Sequence, residues 1–184
     1  MSVEIAAGKT ALLIYDMTET LVQPGPSFEQ WVVDGMPDLA RLLDRCRQTG
    51  VLVCYAIAAA GYAGFEICRA IAPRPDEIVV KHGSSGAFTD TDLAELLRQQ
   101  QRETALISGI AVDRGCNMTA RQALALGFQT VMVRGACYTQ NIDESPVGPV
   151  SKADVERVHL ASLHRMGTSI VEIGELLSKA RWMP

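Results

Sequence analysis

The feature that most limits the fold of this chain is a regular alternation of short apolar runs with longer amphipathic stretches. Continuous apolar runs bounded by polar residues are typical of β-strands that are covered on both faces, as in a parallel sheet. The six runs lie at 11–15, 51–57, 78–80, 105–108, 130–133 and 169–171. The pattern therefore predicts six buried, mostly parallel strands.

The stretches between the runs have the length and spacing of helices. One, at 38–49, carries apolar residues three and four apart, follows Pro37 and ends before Gly50, and both residues are typical of helix boundaries. The other helical patterns lie at 92–101, 117–126, 151–166 and 175–180. The alternation predicts an α/β fold with an open, mostly parallel six-stranded sheet and helices on both faces, a Rossmann-like arrangement of three layers. A chain of 184 residues fits one domain, 1–184.

Composition excludes several classes of function. A formal net charge of -4 provides no basic patch for nucleic acid and no polybasic segment for a membrane surface. No run approaches the ~20 apolar residues that cross a bilayer, and the first residues do not resemble a secretory signal, so we expect a cytoplasmic protein. The five cysteines are scattered, without a CxxC pair, which indicates reduced thiols. The three histidines lack metal-ligand spacing, and we expect no metal and no cofactor.

Polar residues follow three of the predicted strands. Asp16 follows the first, Lys81 the third, and the segment 113–116, which ends in Cys116, follows the fourth and opens a helix. Ligands of open parallel sheets bind at these carboxyl ends. A helix N-terminus favours a thiolate, a carboxylate can accept the thiol proton, and an ammonium group keeps that carboxylate ionised. We therefore predict a catalytic group of Asp16, Lys81 and Cys116. The long loop at 135–150 either covers this site or is an extra surface loop.

At these positions the sequence resembles the isochorismatase-like superfamily, which includes nicotinamidases, N-carbamoylsarcosine amidases and isochorismatases. The resemblance spans about residues 9 to 178. Its carriers are LLIYDM at 12–17, Lys81 with Gly86-Ala87-Phe88, and SGIAVDRGCNMTAR at 108–121. It implies the α/β fold described above, a small-molecule substrate, a pocket between the first and fourth strands, and a homodimer or larger homo-oligomer.

The resemblance also implies roles for individual residues. In the family's cysteine hydrolases an aspartate is the base, a lysine supports it and a cysteine attacks an amide carbonyl; these roles fall on Asp16, Lys81 and Cys116. A strained or cis peptide in the stretch 110–112 aims N–H groups at an oxyanion. The residues implied for substrate binding or the oxyanion are Ala111, Val112, Gly115, His82 and Phe88.

Two segments depart from the family's spacing by one residue. Counted from Gly109 to Thr119-Ala120, the nucleophile position falls on Gly115, and Cys116 lies one residue later. One residue turns a helical side chain by about 100°, so this register decides whether the sulfur faces the pocket. The segment from Lys81 to Ala87-Phe88 is also one residue longer than the family norm.

Three functional hypotheses follow. In the first, the loop before the helix holds an extra residue, and Cys116 cleaves an amide or related C–N bond with Asp16 as base and Lys81 as support. In the second, Gly115 lines the pocket as in true isochorismatases, and Asp16 is a general acid that protonates a vinyl ether. In the third, the chain binds a ligand without catalysis.

Overall fold

A computed structural model describes residues 3–19, 34–59, 66–83 and 85–184. Its strands are β1 (Glu4–Ala6), β2 (Thr10–Tyr15), β3 (Leu52–Ala58), β4 (Ile78–His82), β5 (Thr104–Ile110), β6 (Gln129–Tyr138), β7 (Ser169–Glu172) and β8 (Arg181–Met183). Its α-helices are α1 (Met36–Thr49), α2 (Leu93–Gln99), α3 (Gly115–Ala125), α4 (Lys152–Arg165) and α5 (Ile173–Ser178). Short 3₁₀ turns occupy Ala7–Lys9 and Arg69–Ile71.

Six strands form one parallel sheet in the order β4-β3-β2-β5-β6-β7. This confirms the predicted α/β fold. Every residue of β2, the strand between β3 and β5, is buried, which explains why residues 11–15 form an uninterrupted apolar run. The β1 and β8 strands form a second, two-stranded parallel sheet that the apolar pattern did not predict.

Helices cover both faces of the large sheet. Leucines of α1 and α5 pack with one set of strand side chains, which includes Leu12, Ile14 and Val53. Residues of α2, α3 and α4 pack with the alternate set, which includes Leu13, Cys54 and Ile107. Because successive strand residues face opposite sides, each strand contributes to two apolar layers.

The strand order indicates where on the sheet the candidate site lies. The first strand of the sheet, β2, pairs with β3 on one side and with β5 on the other, so the chain reverses its direction of progress between β2 and β5. Ligand crevices of open α/β sheets lie at such a point, outside the carboxyl ends of the strands. Asp16 and the segment 111–115 both follow strands at this position.

The loop predicted at 135–150 begins later than expected. Strand β6 continues through Tyr138, and the register between β5 and β6 shifts between Ile107 and Gly109, which accommodates the extra strand residues. The remaining connection to α4 contains one antiparallel bridge, Ile142 with Val150.

None of the helices in the described ranges is long and apolar enough to cross a membrane. The single domain, the cytoplasmic location and the homo-oligomeric assembly stay predictions of the sequence.

The central strands should carry most of the stability. We expect Ile107→Ala, at a fully buried position of β5, to lower the free energy of unfolding by about 2–5 kcal/mol because it leaves a cavity. Val147→Ala, at a position 89% exposed, is the matched control and should change it by less than ~0.5 kcal/mol. Chemical denaturation measures both; equal effects would contradict the assignment of Ile107 to the core.

Candidate active site

The carboxylate of Asp16 is held against the neighbouring strand β3. Asp16 follows β2 directly and adopts φ 50°, in the left-handed region that aspartate tolerates better than most residues. Its N–H donates to the Ala56 carbonyl at 2.8 Å, and its Oδ1 accepts from the Ala58 N–H at 3.0 Å. The side chain is 13% exposed, so it is fixed but still reachable from solvent.

His82, the last residue of β4, is the side chain that pairs with this carboxylate. Its Nε2 lies 3.1 Å from Asp16 Oδ1, and its ring stacks on the Tyr15 ring at a centroid distance of 4.7 Å. The other ring nitrogen, Nδ1, is buried and has no hydrogen-bond partner among the described residues. An aspartate and a histidine in contact can exchange a proton with each other and with a substrate.

The structure does not bring Lys81 to Asp16, contrary to the expectation from sequence. Lys81 is exposed and lines an open depression at the sheet edge with Asp90 and Asp92. Successive residues of a strand point to opposite faces, so Lys81 and His82 cannot both face the site. When the family's spacing is counted back from Ala87-Phe88, the position of the family's lysine falls on His82. The extra residue of this segment therefore lies before His82, the residue that contacts Asp16.

The Tyr15 side chain occupies the space beside Gly115. A Cβ atom added at Gly115 would overlap the Tyr15 ring, so the nucleophile position of the family's spacing has no room for a side chain here. The Tyr15 hydroxyl accepts a hydrogen bond from the Gly86 N–H at 3.1 Å. Burial, with smaller contributions from Asp16 and Cys116, raises the pKa of Tyr15 and keeps the hydroxyl protonated.

Cys116 lies in the core. Its side chain is 0% exposed and belongs to the apolar cluster that contains Ala120, Met132 and Cys137. Burial raises the pKa of the Cys116 thiol well above its ordinary value, and the neighbouring Cys137 and Asp16 raise it further. A position at a helix N-terminus favours thiolate, but desolvation dominates at this site.

Two backbone N–H groups beside the implied oxyanion site, those of Val112 and Cys116, are engaged with the protein itself. The Ile110–Ala111 peptide is cis. The Val112 N–H donates to the Tyr138 carbonyl at 2.8 Å, and the Cys116 N–H donates to the Ala111 carbonyl at 3.1 Å. These N–H groups are therefore occupied by backbone acceptors.

Phe88 and the loop around it are fixed to α3. The Phe88 ring stacks on Phe128 at 5.9 Å, and its N–H donates to Gln122 Oε1 at 3.3 Å. The Ala87 N–H donates to Thr119 Oγ1 at 3.0 Å. The segment after β4 is thus pinned at Gly86 by Tyr15 and at the next two residues by α3.

One feature of the site, the packing of Tyr15 against Gly115, was missed by sequence reasoning. In the apolar pattern Tyr15 is only the last residue of a run. The signal that could have identified the contact is one of volume: a large aromatic side chain precedes Asp16, and position 115, which it packs against, is a glycine. Asp113 also has a defined position, since its Oδ1 accepts from Thr139 Oγ1 at 2.8 Å. Within the described ranges, no group of three or more His, Cys, Asp or Glu side chains is placed to hold a metal ion.

The sequence matches a known protein family and several of its members. The family model described as the isochorismatase domain matches residues 10–166. The isochorismatase family protein YrdC of Bacillus subtilis is 22% identical over 92% of this chain and 95% of its own length. The maleamate amidohydrolase of Pseudomonas putida is 28% identical over 68% of this chain and 70% of its own length.

Solved structures agree on the fold. A cysteine hydrolase from Pseudomonas syringae pv. phaseolicola superposes with a TM-score of 0.85 at 21% identity, covering 95% of this chain and 93% of that one. The N-carbamoylsarcosine amidase of Thermoplasma acidophilum superposes with a TM-score of 0.74 at 17% identity, covering 90% and 96%. At these identities the likeness concerns the fold.

The packing of Tyr15 on Gly115 predicts that the effect of Gly115→Ala on the free energy of unfolding depends on the residue at position 15. Gly115→Ala should lower the free energy of unfolding by about 1–3 kcal/mol because the new methyl group overlaps the ring. In a Tyr15→Ala background the same change should be neutral or stabilising by ~0.5–1 kcal/mol, since alanine favours helix over glycine.

Denaturant unfolding of the four proteins measures this coupling. Gly174→Ala is the control, because Gly174 lies in α5 with no atom within 4 Å of an added Cβ; we expect it to be neutral or stabilising. A Gly115→Ala effect that is the same in both backgrounds would contradict the contact.

Proposed function

From the premise that the chain belongs to the isochorismatase family of hydrolases, we propose that it cleaves a small-molecule substrate by proton transfer at Asp16, assisted by His82, without a thiol nucleophile. This corresponds to the acid-catalysed alternative in which Gly115 occupies the nucleophile position. The observation that carries the proposal is the packing of the Tyr15 ring against Gly115, with the neighbouring Cys116 thiol buried.

The contacts of Asp16 suit a proton-transfer role. Among the described residues, the hydrogen bonds with Ala58 and His82 both involve Oδ1, so Oδ2 can carry the proton that is transferred to a substrate. As a general acid, Asp16 would protonate the terminal carbon of a vinyl ether. Water would then add to the resulting cation, and the adduct would separate into an alcohol and a keto acid. His82 would accept the proton that the water loses on addition and return it to Asp16 for the next turnover.

A second candidate function is amide hydrolysis with Cys116 as nucleophile, Asp16 as base and Lys81 as support. Two relatives favour it: the maleamate amidohydrolase, and a streptothricin hydrolase of Streptomyces noursei that is 28% identical over 74% of this chain and 52% of its own length. Cys116 lies in the first turn of α3, one residue after Gly115. This mechanism requires the first turn to rotate by about 100°, so that the sulfur leaves the core, and it requires Lys81 to turn from the opposite face of β4 toward Asp16.

Two variants separate these mechanisms. Asp16→Asn should lower kcat/KM by about 10²–10⁴ under either mechanism, because the amide cannot transfer the proton. Cys116→Ala should keep kcat/KM within about twofold of the wild type, because a buried thiol takes no part in the proposed chemistry. The measurement is turnover of isochorismate, followed as pyruvate release, and of maleamate and other small amides, followed as ammonia release.

The outcomes are distinct. Loss of amide turnover in Cys116→Ala, with the fold intact by circular dichroism, would establish the thiol mechanism. Absence of turnover on every vinyl ether and amide tested would favour the third hypothesis, a ligand-binding protein without catalysis.

The contribution of His82 is tested by a variant that keeps its hydrogen bond. His82→Gln retains an N–H donor for Asp16 Oδ1 but cannot exchange a proton, whereas His82→Leu removes both functions. If His82 transfers protons, both variants should lose kcat to a similar extent, by about tenfold or more, and the pH dependence of kcat should change. Full activity of His82→Gln would limit His82 to positioning Asp16.

A further inference from the structure

A polar cavity lies at the opposite end of the sheet from Asp16. Its volume is about 220 Å³, and it lies beside the first residues of β3 and the segments that precede β4 and β5. Its charged residues are Arg47, Arg74, Asp76, Glu77 and Arg102. We propose that this arginine cavity binds a small oxyanion, a carboxylate or a phosphate, at a site separate from the catalytic one.

One arginine of the cavity already has its partner. Arg47 and Glu77 form a two-pronged ion pair, with Nε 2.7 Å from Oε1 and Nη2 2.9 Å from Oε2. The side chains are only 12% and 7% exposed. Burial alone would raise the pKa of Glu77, but the hydrogen bonds from Arg47 and from the Arg74 N–H lower it below its ordinary value. Glu77 is thus ionised, and its charge is offset by Arg47.

The other two arginines of the cavity differ from Arg47 in their partners. Among the described residues, neither Arg74 nor Arg102 forms an ion pair within 4.0 Å, although the short pair of Arg47 lies in the same cavity. Arg102 Nη1 donates to the Ala7 and Gly8 carbonyls, while its Nε is buried without a hydrogen-bond partner in the part of the chain that the structure describes. These two contacts fix the Arg102 guanidinium beside the cavity without a carboxylate partner in the described ranges, so its positive charge remains to attract an anion.

The charge balance of the cavity favours an anion. Three arginines and two carboxylates line the cavity, within a chain whose net charge is -4. Asp44, which is not a lining residue, adds a weaker contact to Arg47, with Oδ1 3.7 Å from Nη1. Guanidinium groups match the planar geometry of carboxylate and the oxygens of phosphate. Pockets for drug-sized ligands measure roughly 300–1,000 Å³, so this smaller cavity suits a compact ion.

Calorimetric titration with inorganic phosphate and, separately, with malonate tests the proposal at fixed ionic strength. We expect saturable binding of at least one of these ions to the wild type, and a rise in Tm with its concentration. Comparison of the two ions identifies which oxyanion geometry the cavity prefers.

Single-charge variants should change the affinity in opposite directions. Arg74→Gln should weaken binding by about tenfold and Asp76→Asn should strengthen it by about threefold, because each changes the charge in the cavity by one unit. Arg45→Gln, which removes an exposed charge from α1 outside the cavity, is the matched control and should leave the affinity unchanged. Arg74 and Asp76 are exposed, so their variants should fold.

Absence of saturable binding of both ions to the wild type, or equal affinities in Arg74→Gln, Asp76→Asn and Arg45→Gln, would overturn the proposal. Asp16→Asn should bind the anion as the wild type does, so the result is independent of the catalytic mechanism.

Discussion

The contact between the Tyr15 ring and Gly115 organises the candidate site. The ring lies where a side chain at 115 would begin, stacks on His82, and holds the Gly86 N–H through its hydroxyl. The elements β2, β4 and α3 therefore meet on one side chain. Because protein interiors are close-packed, none of these groups can move without displacing the ring. The pairing of His82 with Asp16 follows from this packing, since the ring supports the imidazole from the side.

The sheet and the position of Asp16 were predictable because both depend on local patterns. Buried parallel strands read as continuous apolar runs, and the residue after such a run lies at the carboxyl end wherever the strand sits. The choice between Lys81 and His82 was not predictable in this way. Strand side chains alternate with a period of two, so the position of one extra residue decides which of the two faces the site. The loop between His82 and Ala87 offers several places for that residue.

Whether Gly115 or Cys116 faces the pocket also depends on the position of one residue, here on a helix, where one residue turns the side chain by about 100°. The complementary volumes of Tyr15 and Gly115 do distinguish the two registers, but only once the ring is known to point toward α3. The pair of β1 and β8 and the arginine cavity join residues distant in sequence, and no periodicity marks them. Such features depend on tertiary contacts alone.

The glycine at position 115 also limits which substitutions this site can accept. A cysteine introduced at position 115 would be strained here, because its Cβ would meet the Tyr15 ring before its sulfur reached any substrate. The aromatic residue must first become smaller, and that first change already removes the support of His82. A thiol at position 115 and a tyrosine ring that fills its space therefore compete for one volume, and exchanging them takes two coupled substitutions.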